Sequence, residues 1–203
     1  EQWTRFRVVD FGYTNPFCCQ WWGQDEDGRL YRYRELYGVQ RAVKDWAHII
    51  AQCSAGEHIS ATITDWDSEG RADLEAHMGH TAEQCTEAEH QWFDNPPARF
   101  VGTVAATKDV QAGIQKVMDR FKMAGDGSPR LFLMRDSLVE RDQQLSDSKK
   151  PCCTEEEIES YVWDKANSQK YGEVLIEQPL KKDDHGMDCT RYMVMYVDGP
   201  NAG

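Results

Sequence analysis

No run of apolar residues in this chain approaches the length that spans a bilayer, so a helical membrane protein is excluded. Positive charge is also scarce. The sequence holds 23 Lys and Arg against 35 Asp and Glu, a formal net charge of −12, which argues against a broadly basic nucleic-acid surface. The deficit is local: Glu57 to Asp94 carries ten acids and one Arg, a balance of −9, while residues 1–56 balance at zero and the remainder at −3. A basic groove can still exist elsewhere, although a chain this acidic should bind duplex weakly without help. The seven cysteines, with adjacent pairs Cys18/Cys19 and Cys152/Cys153, lack the spacing of a disulfide scaffold and predict a reducing compartment with small apolar roles. His77, His80, Cys85 and His90 match no standard zinc spacing. There is no repeat, no low-complexity tract and no G-x-x-x-x-G-K-[ST] phosphate loop. The first residue is Glu and no signal pattern follows it, so the chain is expected to be a piece of a longer protein, neither secreted nor membrane-bound.

What is present suits one well-buried domain. In 203 residues, 40% are apolar, with 7 Trp, 8 Tyr and 7 Phe, enough to build a core. Residues 3–11, Phe17–Gly23 and Leu30–Tyr37 predict three antiparallel strands, the last two joined by the turn chemistry of Asp25–Gly28. Beyond them helix and strand patterns alternate. Helices are predicted over Val39–Cys53, Ser68–Met78 and from an Asp109 cap through Met123; strands over Ile59–Thr64, Phe100–Ala105 and Arg130–Met134. Such alternation implies parallel strands covered by helices. Thr154 and Glu157 form a capping-box pattern for a helix to Trp163, and Asp183 or Asp184 opens a last helix through Val197. Thr81–Pro97 and Asp142–Pro151, polar and aperiodic, read as surface insertions. Trp21, Trp22, Trp46 and Trp163 lie in apolar patterns and are assigned to the core or sheet surface.

Chemistry is expected at the strand ends. Asp10 closes a strand of apolar and basic residues, and Asp65 follows Ile59–Thr64 in the same way, with Asp67 two residues on. In an open α/β sheet, ligands gather at the carboxyl ends of strands, where two such aspartates can converge. Asp184 and Asp188, four apart, share one face of the final helix with His185 nearby. Carboxylates gathered this closely repel, and hard cations such as Mg²⁺ or Mn²⁺ relieve that repulsion. Two such ions would match phosphodiester hydrolysis. Each residue also has a plainer reading, since Asp10 can cap a turn, Asp65 or Asp67 the helix at Ser68, and Asp184 the last helix.

Asp10 within VVDFGYTNPF, Asp65 within ITDWDSEGRADLE, EEIESYVW at Glu156–Trp163 and KKDDHGMDCTRYM at Lys181–Met193 resemble the nuclease domain of the large terminase subunit of tailed phages. The resemblance covers nearly the whole chain. Its most specific part is Asp184-His185-Gly186-Met187-Asp188 followed by Arg191-Tyr192. It implies a single nuclease domain over residues 1–203, with an RNase H-like mixed α/β sheet, antiparallel in its first three strands and then parallel, and helices on both faces. It also implies a metal-dependent endonuclease that cuts double-stranded DNA of concatemeric genomes through two Mg²⁺ or Mn²⁺ ions, without the family's packaging ATPase. By that carry-over the acids are Asp10, Asp65 and Asp188, with Asp67, Asp184 and His185 beside the metals. Many relatives read Asp-Pro-Ala where this chain reads Asp65-Trp66-Asp67, so the second acid stays open between Asp65 and Asp67. Lys108, Lys181 and Lys182 are the expected phosphate contacts. Implied partners are double-stranded DNA and, in the full-length protein, the small terminase subunit and portal, with no membrane, in the host cell cytoplasm during phage assembly.

Two other readings compete. Asp10-Phe11-Gly12-Tyr13-Thr14-Asn15 also resembles the first phosphate loop of actin-like and sugar-kinase ATPases, but the second glycine-rich loop they need is missing. An acidic docking domain of the packaging machinery, with solvated carboxylates and no catalysis, would suit the −9 segment.

Overall fold

A computed structural model of the chain describes residues 3–78, 100, 102–171 and 174–199. The predicted insertion Thr81–Pro97, with His80, Cys85 and His90, lies outside the described residues, and His77 Nε2 lies 3.3 Å from Asp73 Oδ1 one turn back on its helix. The described elements are β1 (Thr4–Asp10), β2 (Phe17–Gln24), β3 (Leu30–Gly38), α1 (Val43–Cys53), β4 (Ile59–Thr64), α2 (Ser68–Met78) and β5 (Thr103–Ala105). They continue with α3 (Val110–Phe121), β6 (Leu131–Leu133), α4 (Gln143–Asp147), α5 (Thr154–Ile158), β7 (Trp163–Tyr171), β8 (Val174–Pro179) and α6 (His185–Val197).

Six strands form one sheet in the order β5-β4-β1-β2-β3-β6, and β7 pairs with β8 in a separate antiparallel ribbon. β2 runs antiparallel to both β1 and β3, whereas β4 joins β1, β5 joins β4 and β6 joins β3 in parallel, as the alternation of elements predicts. Strand periodicity divides the core into two layers. Phe6, Val8, Cys18, Trp22, Ala61 and Ile63 face one side, where Val117 of α3 and Cys189, Met193 and Val194 of α6 cover them. Val9, Phe17, Cys19, Trp21 and Leu36 face the other, against Trp46, Ala47 and Ile50 of α1 and Leu74 of α2. With both faces covered, β1 and β2 are buried almost end to end, which is why neither alternates polar with apolar. Cys18 and Cys19 are free, buried thiols on opposite faces, as their small apolar role predicts.

Several boundaries differ from expectation. α1 begins at Val43, not Val39, because Val39 and Gln40 give their N–H groups to the Asp142 carboxylate and the Tyr13 carbonyl, and Gln40 has positive φ. β5 begins at Thr103 after Gly102, whose φ of 93° interrupts an extended run. Within Asp142–Pro151, Asp142 caps a helical turn and Leu145 is buried, so this stretch is partly core rather than a plain insertion. The helix expected to reach Trp163 stops at Ile158, and Trp163 opens β7. The capping box is not formed: Cys153 occupies the N-cap, while Thr154 and Glu157 are both buried and turn elsewhere.

Candidate functional site

Alternation along β1 puts Asp10 on the same face as Phe6 and Val8, the face that α6 covers, and leaves it 7% exposed. β4 is in register beside it. The ladder runs one residue past the strand, because the Asp65 N–H donates to the Val9 carbonyl at 3.1 Å, so Asp65 follows Ile63 toward that face at the neighbouring strand's end. Asp67 has a different task. Its side chain accepts from the Glu69 N–H at 3.1 Å and its carbonyl from the Arg71 N–H at 3.0 Å, which makes it the N-cap of α2. Asp65 Oδ1 accepts from the Asp67 N–H at 3.1 Å, tying the two together.

The last helix closes the site from above the sheet. His185, its first residue, meets Asp10 Oδ2 through Nδ1 at 2.8 Å. Asp188 sits in the first turn and takes both of its Arg191 bonds on Oδ1, at 3.2 Å from Nε and 2.9 Å from Nη2. Among the described residues, Asp10 thus engages its partner through Oδ2 and Asp188 through Oδ1, which leaves the second oxygen of each for a cation. Asp184 stands at the N-cap position of α6 with no side-chain capping bond. Arg191 is itself held by packing, since it crosses α3 at Gly113, where a Cβ would fall 2.5 Å from its Cγ.

The electrostatics report crowding. Burial raises the Asp10 carboxyl above its ordinary value, with Asp188 and Asp184 adding to the rise and His185 opposing it. Asp65 is pushed up to about 6, first by burial and then by Asp10. Asp184 is raised by burial and then by Asp188. Burial by itself would lower the His185 imidazole, but the Asp10 hydrogen bond and the charges of Asp10, Glu157 and Asp184 leave it raised. Oxygen donors that repel one another in this way form a set suited to a hard cation.

Other predicted residues are placed less centrally. Lys108 lies over the Trp66 ring, 4.3 Å from its centroid; Trp66 is 54% exposed and gives its Nε1–H to the Ala106 carbonyl at 2.5 Å. Lys181 is near enough to Asp184 to oppose the rise of its carboxyl, and Lys182 is exposed, 4.0 Å from Asp183. Among the described residues, potential ligand atoms within 4.8 Å of one another belong to Glu35, Cys153 and Glu155 rather than to the predicted acids. That group already has its cation, because Arg32 ion-pairs Glu35 at 2.8 Å and also Glu155, and burial holds the Cys153 thiol up at about 11.

Sequence reasoning missed the polar layer beneath the site. Glu35, Gln20, Thr154 and Glu157 are fully buried, and each bonds to at least one of the others or to the start of α6. Thr154 and Glu157 carried a capping-box pattern and Glu157 an acidic run, both of which suit a solvated helix start, while Gln20 and Glu35 carried no signal. Trp66 was missed as well, its signal being an aromatic between the strand-end Asp65 and the helix-capping Asp67.

No protein-family model and no curated protein sequence matches the chain. Its structural neighbours are large terminase chains. The ADP complex of the large terminase from a thermophilic bacteriophage matches with a TM-score of 0.64 at 18% identity, over 98% of this chain and 41% of that one. The P22 large terminase nuclease domain matches with a TM-score of 0.54 at 15% identity, over 95% of this chain and 80% of that one. The chain thus spans about two fifths of the thermophilic phage protein's length. At such identities the likeness is one of fold: the six-stranded mixed sheet with its helices is the RNase H-like architecture of a terminase nuclease domain.

Proposed function

We propose that this chain is the nuclease domain of a viral DNA-packaging large terminase, a divalent-metal-dependent endonuclease that hydrolyses phosphodiester bonds of double-stranded DNA to cut concatemeric genomes. The observation that carries the reading is the meeting of Asp10 and Asp65, at the ends of adjacent parallel strands, with the helix bearing Asp184, His185 and Asp188. The Asp10 carboxyl is raised in part by Asp188 and Asp184, and that of Asp65 in part by Asp10, a repulsion that a bound cation would offset.

Asp10, Asp65 and Asp188 would hold two Mg²⁺ or Mn²⁺ ions, with Asp184, His185 and, farther out, Asp67 beside them. Bound, the ions would stabilise the attacking and leaving oxygens of an in-line displacement. His185 orients the Asp10 carboxylate through Oδ2, and Arg191 does the same for Asp188 through Oδ1. Lys108, Lys181 and Lys182 would contact phosphates, positioning the duplex without reading its bases. In the longer protein, the small terminase subunit and portal would be partners, and the host cytoplasm the setting. No helix among the described residues is long and apolar enough to cross a membrane.

The test is a Mn²⁺ titration beside a plasmid digestion. Saturable binding and cleavage that both vanish in Asp10→Ala are expected. Diffuse weak binding with no cleavage would favour a solvated acidic docking face instead.

A further inference from the structure

The helix that carries Asp184, His185 and Asp188 starts without a cap of its own. Asp184 occupies the N-cap position, yet its side chain makes no capping bond. The first N–H groups of a helix need acceptors, and a buried one without a partner costs about 1–3 kcal/mol. Here the acceptor comes from another element. Glu157, in α5, accepts the Met187 N–H on Oε2 at 3.0 Å and the Tyr37 hydroxyl on Oε1. The Gly186 carbonyl in the same turn accepts from Gln20 Nε2 at 2.9 Å, and that amide also donates to Thr154 Oγ1 at 2.7 Å. Thr154 in turn donates to Glu35. The fit is close: a Cβ at Gly186 would come within 2.9 Å of Glu157 Oε2 and collide with Thr154. The first turn of α6 is therefore clamped to β2, β3 and α5.

We infer that Glu157 is a positioning residue that caps α6 in trans, so that the Asp184 carboxylate is released from capping and the first turn is held where His185 and Asp188 face Asp10. Ordinarily an aspartate at an N-cap turns its side chain back onto the N2 or N3 amide. Met187 is the third residue of α6, and Glu157 has taken its N–H. One buried carboxylate thereby frees another for the site. The inference rests on the nuclease reading only for its consequence in metal binding; the capping itself is independent of that reading.

Three variants test it. Glu157→Ala removes the acceptor; Glu157→Gln keeps a carbonyl oxygen for Met187; Tyr37→Phe deletes the hydroxyl that fixes the Glu157 side chain. Amide hydrogen exchange over His185–Asp188, Mn²⁺ affinity and plasmid cleavage are measured for each. Expected in Glu157→Ala are faster exchange at Met187, with the β1 and β2 amides unchanged, and roughly 10- to 100-fold weaker Mn²⁺ binding with a parallel loss of cleavage. Glu157→Gln should recover most of both, and Tyr37→Phe should fall between. Unchanged exchange at Met187 and unchanged Mn²⁺ affinity in Glu157→Ala would overturn the inference, as would Glu157→Gln behaving like the alanine variant. If Glu157→Ala does not fold, the Gln and Phe variants decide it: wild-type exchange at Met187 in Tyr37→Phe, or no protection in Glu157→Gln, overturns it. Should the wild-type protein neither bind Mn²⁺ nor cut DNA, the nuclease reading fails, while the exchange data still judge the cap.

Discussion

The two aspartates that flank Trp66 differ in what their oxygens already do. Asp67 caps α2, so Asp67→Ala should lower stability by about 1 kcal/mol, read from the denaturant midpoint, and leave Mn²⁺-dependent cleavage largely intact. Asp65 lies one rung beyond the β4 ladder beside Asp10, and Asp65→Asn should lose nearly all cleavage while still folding. The opposite pattern would show that the two roles are exchanged. The raised Asp65 carboxyl also sets a sign for pH. Its folded pKa, about 6, lies above the ordinary carboxylate value, so its contribution to stability is complete below about pH 4 and is lost as pH rises through 6. Thermal melts of chelator-treated protein should therefore fall from pH 4 to pH 6 more steeply in wild type than in Asp65→Asn. Saturating Mn²⁺ should flatten the wild-type slope, because the cation takes the place of the proton.

Between elements, the seam of α3 and α6 governs Asp188 through Arg191. The Arg191 stem crosses α3 at Gly113, and a methyl group there overpacks the seam. Gly113→Ala should cost about 1–3 kcal/mol despite the better helix propensity of Ala, and by moving Arg191 it should also alter Mn²⁺ affinity. A stabilised variant with wild-type metal binding would mean that the seam relaxes freely. Most elements on this seam were legible in the sequence, because α3 and α6 carry apolar residues at helical spacing and Asp109 caps α3 through the Ala112 N–H. The β7–β8 ribbon was not legible, since Trp163–Tyr171 reads WDKANSQKY without apolar alternation.

Over the whole molecule, charge limits how DNA can bind. With a net charge of −12 and three lysines proposed as phosphate contacts, affinity for duplex should be modest, and its salt dependence should reflect those few contacts alone. Each phosphate contact contributes about −0.9 to the slope of log affinity against log salt, so three predict a slope near −3. Measured by anisotropy without divalent metal, where the proposed metal-dependent cleavage does not proceed, Lys181→Ala or Lys108→Ala should each shallow that slope by about 1. A slope unchanged in both variants would place the DNA elsewhere on the surface.

Local pattern alone placed the strands β1 to β4 and the helices α1 and α2, although α1 starts four residues later than its pattern, and it put Asp10 and Asp65 at strand ends and Asp188 in the last helix, because burial on one or two faces imposes a period that short stretches record. The capping of α2 by Asp67 was also legible, since a residue before Ser68-Glu69-Gly70 is placed to cap. Tertiary structure alone decided which buried polar groups meet. Glu35 reaches Thr154 across 119 residues, Gln20 reaches Gly186 across 166, and Glu157 leaves its expected capping box to serve Met187, 30 residues later. A hydrogen bond made by a buried side chain to a distant partner has no period and no preferred sequence separation. Its partners are selected only when the sheet and helices have closed around them, and then the cost of an unpaired buried group enforces the pairing.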